Sequence, residues 1–195
     1  MSPPLVIAAE LPGASGGLAA AAAVAVLIAA ADPTSRGVLM IETQGERRRG
    51  PTMLASEAAR RLERSVAAAG LRAAARGRLC WVTVTEDDPL GGVATAVSAG
   101  HEARAVIAHL PGAAWRSALD HEELPVTAGL LRAELPRQRS LAALAVRELR
   151  EAGFRARIAT RALGPVAGRR VASGLDPGGE ASVRSARLAR GLVGA

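Results

Sequence analysis

The chain has 195 residues, 49% of them apolar, with one Phe, two Trp and no Tyr. That is enough apolar material for an α/β core built from Ala, Val, Leu and Ile, and it excludes a disordered chain. The net charge is +7, and all 25 basic residues are arginine, so any chemistry that needs a lysine is excluded.

The charge alone fits an acidic partner, a nucleic acid or an anionic membrane surface. Scattered arginines on several helices account for it better. Aromatic stacking platforms are nearly absent, and the longest basic run is only Arg47-Arg48-Arg49. Cys80 is the single cysteine, so neither a disulfide framework nor a zinc cluster is expected. Its apolar setting, "RLCWVTV", predicts a buried thiol. His101, His109 and His121 are too scattered to suggest a metal site. The apolar run Leu18 to Ala31 is shorter than the ~20 residues of a spanning helix. With no basic start before it, a signal peptide is not expected either. A cytoplasmic location is the expectation, with membrane association as its variant.

In chain order, "LVIAA" from Leu5 to Ala9 predicts a buried strand. Leu11 to Gly17 is a Gly-rich loop, and Leu18 to Ala31 a helix apolar nearly all round. "GVLMI" from Gly37 to Ile41 is the next strand. A helix is predicted over Met53 to Ala69, with Leu54, Ala58, Leu62 and Val66 on one face and Gly70 as its stop. Leu79 to Thr85 reads as a strand, Gly92 to Ser98 as a helix and Ala103 to Leu110 as a strand. "AAWRSALDHEEL" is a short helix, followed by a strand from Val126 to Leu131. In "PRQRSLAALAVRELREAGF" the stripe Leu141, Leu144, Ala145, Leu149 and Ala152 marks an amphipathic helix stopped by Gly153. A last strand from Arg157 to Thr160, a Gly-rich loop and a helix from Ser182 to Leu192 complete the chain.

Strands and helices alternate, and the strands are continuous apolar runs. That predicts a three-layer α/β fold: a mainly parallel, doubly wound sheet with helices on both faces. Nothing marks a linker, so one domain over residues 1–195 is expected.

The turn "PGASGG" between the first strand and its helix has the layout of a phosphate-binding loop. Such a loop adds a lysine for the β/γ-phosphates and a hydroxyl for magnesium. Here the helix opens on alanines.

These residues resemble the MinD/ParA family of deviant P-loop ATPases, whose loop reads "KGGxGKT". On that pattern Ser15 stands at the first lysine, Gly16 and Gly17 at the glycine pair, and Leu18 at the variable position. Ala19 stands at the third glycine, Ala20 at the invariant lysine and Ala21 at the magnesium-binding Thr. "VLMIE" is similar to the family's second strand, with Glu42 where an aspartate handles the attacking water. "AVIAHLPG" resembles the Walker B strand, with His109 in place of its aspartate. The segment from Pro125 to Ile158 resembles the strand, Pro-containing loop and helix that precede the family's last central strand, and Thr160 stands nearest the adenine-contacting Asn.

The resemblance spans most of the chain and implies a P-loop NTPase-like fold. With lysine, Thr and Asp all replaced, it implies a pseudo-ATPase with no catalytic residues and no resident metal, since phosphoryl transfer rests on positioning and charge neutralisation. Gly13, Ser15, Gly16, Gly17, Ala20, Ala21, Glu42 and His109 would then form a vestigial nucleotide or anion site. No cofactor is expected unless an arginine, Arg36 or one of Arg47 to Arg49, replaces the lysine for ATP and magnesium. The family includes the TadZ/CpaE-like branch of Tad pilus systems, which has degraded Walker motifs and positions a secretion ATPase. A scaffold or localisation factor with protein partners, a pilus or secretion ATPase among them, is therefore the expected role, with homodimerisation across the nucleotide face.

Other readings stand beside it. An active nucleotide or phosphate binder would use the turn and the helix dipole. A DNA-associated partitioning protein would gather the arginines of the 60–64 segment with Arg184, Arg187 and Arg190 on one face. An ordinary flavodoxin-like or Rossmann-like domain would use the glycines only as a tight turn. Gly13, Gly16 and Gly17 have the wrong spacing for a dinucleotide fingerprint, although Glu42 would suit a ribose hydroxyl. "GASGG" fits G-x-S-x-G, with Ser15 as nucleophile and His101, His109 or His121 as base. Only twelve residues precede Gly13, leaving little room for an oxyanion loop upstream.

Overall fold

A computed structural model describes residues 2–10, 17–31, 36–43, 54–85, 87–110, 114–132 and 136–159. The elements in chain order are β1 (Leu5–Glu10), α1 (Gly17–Ala31), β2 (Val38–Glu42), α2 (Glu57–Ala68), β3 (Arg72–Arg76) and β4 (Leu79–Thr83). They continue with α3 (Pro89–Ala99), β5 (Val106–Leu110), α4 (Ala114–Leu119), β6 (Val126–Arg132), α5 (Pro136–Glu151) and β7 (Arg155–Ala159). The strands form one sheet in the order β3-β4-β2-β5-β1-β6-β7. Every pairing is parallel except β3 with β4.

Strand alternation splits the core in two. Val6, Ala8, Met40, Ile107 and Leu130 point to one face and pack with α1 through Ala21, Val24, Ala25 and Ile28. Ile7, Leu39, Ile41, Val82, Val106 and Leu131 point to the other, where α2, α3, α4 and α5 lie. The handedness of crossover connections explains why α1 lies opposite α3, α4 and α5. The β1-to-β2 connection runs toward β3 in the sheet, while β4-to-β5, β5-to-β6 and β6-to-β7 run the opposite way. Right-handed crossovers of opposite sense must place their helices on opposite faces.

Local chemistry sets the helix ends. The Ser56 hydroxyl accepts from the Ala59 N–H at 3.2 Å, and the Ser56 N–H donates to the Gly77 carbonyl at 2.7 Å. The first bond caps α2; the second ties its start to the β3–β4 hairpin. Helix α2 therefore starts at Glu57, not at Met53, and Leu54 is not on its buried face but 91% exposed. Asp88 caps α3 by accepting from the Gly91 N–H at 2.9 Å. With Pro89 suited to the first turn, α3 begins three residues before the predicted Gly92. Strand β5 is shorter than predicted, α4 ends at Leu119, and β7 begins two residues early at Arg155.

Two further differences have clear causes. Strand β3 has no counterpart in the sequence reading, because "RAAAR" carries none of the β-branched or aromatic signal of a strand. It forms as the outer arm of a hairpin whose turn uses Gly77 at φ 57°, a conformation that favours glycine. Helix α5 is rotated by one residue from the predicted stripe: Ala142, Ala145, Val146 and Leu149 are buried, while Leu141 and Leu144 are half exposed. The small residues bring α5 close to the sheet, and Leu149 fills the space above Gly129, where an added Cβ would stand 2.7 Å from Leu149 Cδ1.

Cys80 is buried as predicted, and burial pushes its thiol up to about 12. Among the described residues, no helix is long and apolar enough to cross a membrane. The predicted Gly-rich loop and helix beyond Thr160 lie outside the described residues.

Candidate functional site

The chain leaves β1 toward β2 and leaves β5 toward β6, on opposite faces of the sheet. The C-terminal ends of β1 and β5 are adjacent. They form a topological switch point, where open α/β sheets have their crevice. Helix α1 begins at this edge after a six-residue link, 11–16.

Glu42 ends β2, and His109 is the fourth residue of β5. Parallel register sets Glu42 beside His109, His109 beside Ala8, and Glu42 beside Thr83. Paired residues in a sheet share a face, so Thr83, Glu42, His109 and Ala8 form a row across four strands on the α1 side. Two residues below run Trp81, Met40, Ile107 and Val6, part of or packed against the apolar cluster of that face. The polar row therefore caps the α1-side core at the crevice. Glu42 is 8% and His109 9% exposed. Sequence reasoning found these two residues but missed Thr83, whose place in the row depends on β4 lying next to β2.

Ala20 and Ala21 lie in the first turns of α1. Ala21 is fully buried in the α1-side cluster. Gly17 is the first residue of α1, whereas Gly13, Ser15 and Gly16 lie outside the described residues. Thr160 and Arg47 to Arg49 also lie outside them, as do Arg184, Arg187 and Arg190. The structure thus brings Glu42 and His109 together at the edge where α1 starts, with Ala20 and Ala21 on that helix.

Arg36 is placed elsewhere. It precedes β2 at the N-terminal edge of the sheet, beside a small cavity lined also by Arg61 and Glu102. Six residues of extended chain, roughly 20 Å, separate it from Glu42. It stands at the wrong edge to serve a phosphate at the start of α1. Arg60, Arg61 and Arg64 are exposed on α2, and Arg64 donates to Glu57 at 2.9 Å. That hydrogen bond and the adjacent charge hold the Glu57 carboxyl below its ordinary range.

Of the other histidines, His101 is exposed and His121 partly buried in the turn after α4. Among the described residues no group of three or more His, Cys, Asp or Glu side chains could hold a metal. An open groove of about 1560 Å³ runs on the α2–α3 side, lined by Thr43, Arg72, Thr85, Asp88, Thr95 and Glu123 among others. It lies at the C-terminal end of β4, two strands from the switch point, and Thr83 of the row lines it too.

No family model and no curated protein matches the chain. Among solved structures, it is similar to a ParA family ATPase from Chlorobium tepidum TLS. The TM-score is 0.57 at 13% identity, over 95% of this chain and 98% of that one. A partition protein is similar with a TM-score of 0.34 at 12% identity; the match covers 97% of this chain and 58% of that one. The first of these likenesses fixes the architecture: a mostly parallel seven-stranded α/β sheet of the ParA-like P-loop NTPase fold.

Proposed function

We propose that this chain is a nucleotide-silent pseudo-ATPase on a ParA/MinD-like fold, acting as a scaffold or localisation factor for a protein partner. One observation carries the reading. Ala21, at the position of the magnesium-binding hydroxyl, is fully buried in the apolar α1-side cluster. The start of α1 therefore offers a buried methyl where a ligand for the metal would be needed. Ala20, at the lysine position, supplies no cation. Phosphoryl transfer depends on neutralising charge on the transferred group, and a methyl and a buried His–Glu pair on adjacent strands are poorly suited to that.

The fold keeps its value without the chemistry, because its helices and edges remain surfaces for partners. A pilus or secretion ATPase is the kind of partner that the family resemblance suggests. The competing reading, an arginine in place of the lysine, rests on Arg47 to Arg49, since Arg36 stands at the opposite edge of the sheet.

Phosphate release from ATP tests the proposal. The purified chain with magnesium is expected to release phosphate no faster than buffer. Magnesium-dependent release that is lost when Arg47, Arg48 and Arg49 are replaced by alanine would overturn it.

A further inference from the structure

Strand β3 ends the sheet. It pairs with β4 along one edge, and among the described residues its other edge has no strand. Five uninterrupted pairs, from Arg72 with Thr83 to Arg76 with Leu79, keep it regular. It carries no proline, no bulge and no bulky side chain between its two arginines. Such an edge is a template for a further strand.

Its two faces differ. Ala73 and Ala75 lie opposite Val82 and Cys80 and face the α2 side. Arg72, Ala74 and Arg76 share the α1-side face, with Ala74 opposite the partly buried Trp81. Arg72 and Arg76 are both exposed, and about 13 Å of strand separates them. The edge as a whole is positive: residues 57–78 carry Arg60, Arg61, Arg64, Arg72, Arg76 and Arg78 against Glu57 and Glu63.

The charges select among occupants. A second copy of β3, added antiparallel about Ala74, would set Arg72 opposite its copy's Arg76 and the reverse. Like charges directly opposite are destabilising. An acidic strand in the same place would turn both repulsions into attractions. The three alanines leave room on both faces for its side chains.

We propose that β3 is the docking edge for an extended acidic segment of a partner protein, which adds as a further antiparallel strand with carboxylates beside Arg72 and Arg76. The alternation defines the pattern: acidic residues at the first and fifth positions, an apolar residue at the third above Ala74 and Trp81, and small residues between. Main-chain hydrogen bonds supply affinity and the alternate side chains supply selectivity. The inference is independent of whether the chain binds nucleotide.

Titration of the intact isotope-labelled chain with capped synthetic peptides tests it, read by amide NMR shifts at low ionic strength. Glu-Thr-Val-Thr-Glu is expected to shift the amides of β3. Lys-Thr-Val-Thr-Lys is expected to leave them in place. Glu-Pro-Val-Pro-Glu, which keeps the charges but loses two backbone donors, should bind ~10-fold or more weakly. In the double variant Arg72→Glu/Arg76→Glu the preference should invert toward the lysine peptide, and that binding itself reports a folded edge. The wild-type peptide series decides the matter even if the variant does not fold. No β3 shift up to millimolar acidic peptide, equal binding of the acidic and lysine peptides, or equal binding of the proline peptide overturns the proposal. So does self-association through β3 that excludes the acidic peptide.

Discussion

Replacing His109 by Asp, the residue that the resemblance places there, should destabilise the protein through Glu42. The two positions are register partners on β5 and β2, and both are buried. Adjacent strands lie ~5 Å apart, so two carboxylates there repel by about 3 kcal/mol at an effective dielectric near 20. Neutralising one of them at about pH 7.5 costs roughly 4–5 kcal/mol from an ordinary carboxyl pKa, so repulsion is the cheaper outcome. The pair's folded-state proton affinity is then raised. A raised carboxyl pKa destabilises fully above the folded value, and the penalty fades as pH falls toward the unfolded value. Near pH 5, protonation costs only about 1 kcal/mol, which caps the loss. His109→Asn is the matched control, equal in shape and without charge. Urea unfolding should show Asp less stable than Asn by about 3 kcal/mol near pH 7.5 and by about 1 kcal/mol near pH 5. Equal stability of the two variants at the higher pH, or a gap that does not shrink at the lower, would refute the placement of Glu42 beside His109.

Other consequences follow from packing and charge. Cys80, with its thiol pushed up to about 12 by burial, should resist a disulfide reagent at mildly alkaline pH in the native state and react at once in denaturant; labelling of the folded protein at the free-thiol rate contradicts the burial. An alanine Cβ at Gly92 would meet Val84 Cβ at 2.7 Å and Cγ1 at 2.8 Å, whereas at Gly129 the nearest atom is the Leu149 Cδ1 tip. Since Val is stiff and Leu can turn aside, Gly92→Ala should cost about 2–3 kcal/mol and Gly129→Ala about 1 kcal/mol by thermal unfolding; the reverse order refutes the reasoning. Arg64→Ala should raise the Glu57 carboxyl pKa, read by carboxyl NMR titration. The lowered value favours folding above the unfolded pKa, a contribution lost as pH falls through the folded one. Both groups are exposed, so stability itself should not change measurably.

Much of the fold is legible in the sequence because the central strands are unbroken apolar runs. "LVIAA", "VLMI" and "AVIA" admit only a doubly buried position, and the Ala-rich α1 can pack closely against three of them. Strand β3 is not legible: alternating Arg and Ala say nothing of strand until β4 offers an edge to pair with. The phase of α5 is hidden for a related reason. Leu141 and Leu144 look like core residues, but the smaller Ala142 and Val146 take the buried face beside Ala145 and Leu149. At the site, Glu42 and His109 are each visible at a strand end, yet their adjacency depends on β5 inserting between β2 and β1. Arg36, close to Ala20 in the chain, is carried to the far edge of the sheet because β2 must start there to run parallel to β1.

Calorimetric titration of the purified chain with ATP and with ADP, with and without magnesium, bears most directly on nucleotide silence. No heat of binding is expected at high micromolar nucleotide in any of the four titrations. Saturable, magnesium-dependent binding would contradict nucleotide silence and would mean that other side chains rebuild the site that Ala20 and Ala21 leave empty of charge.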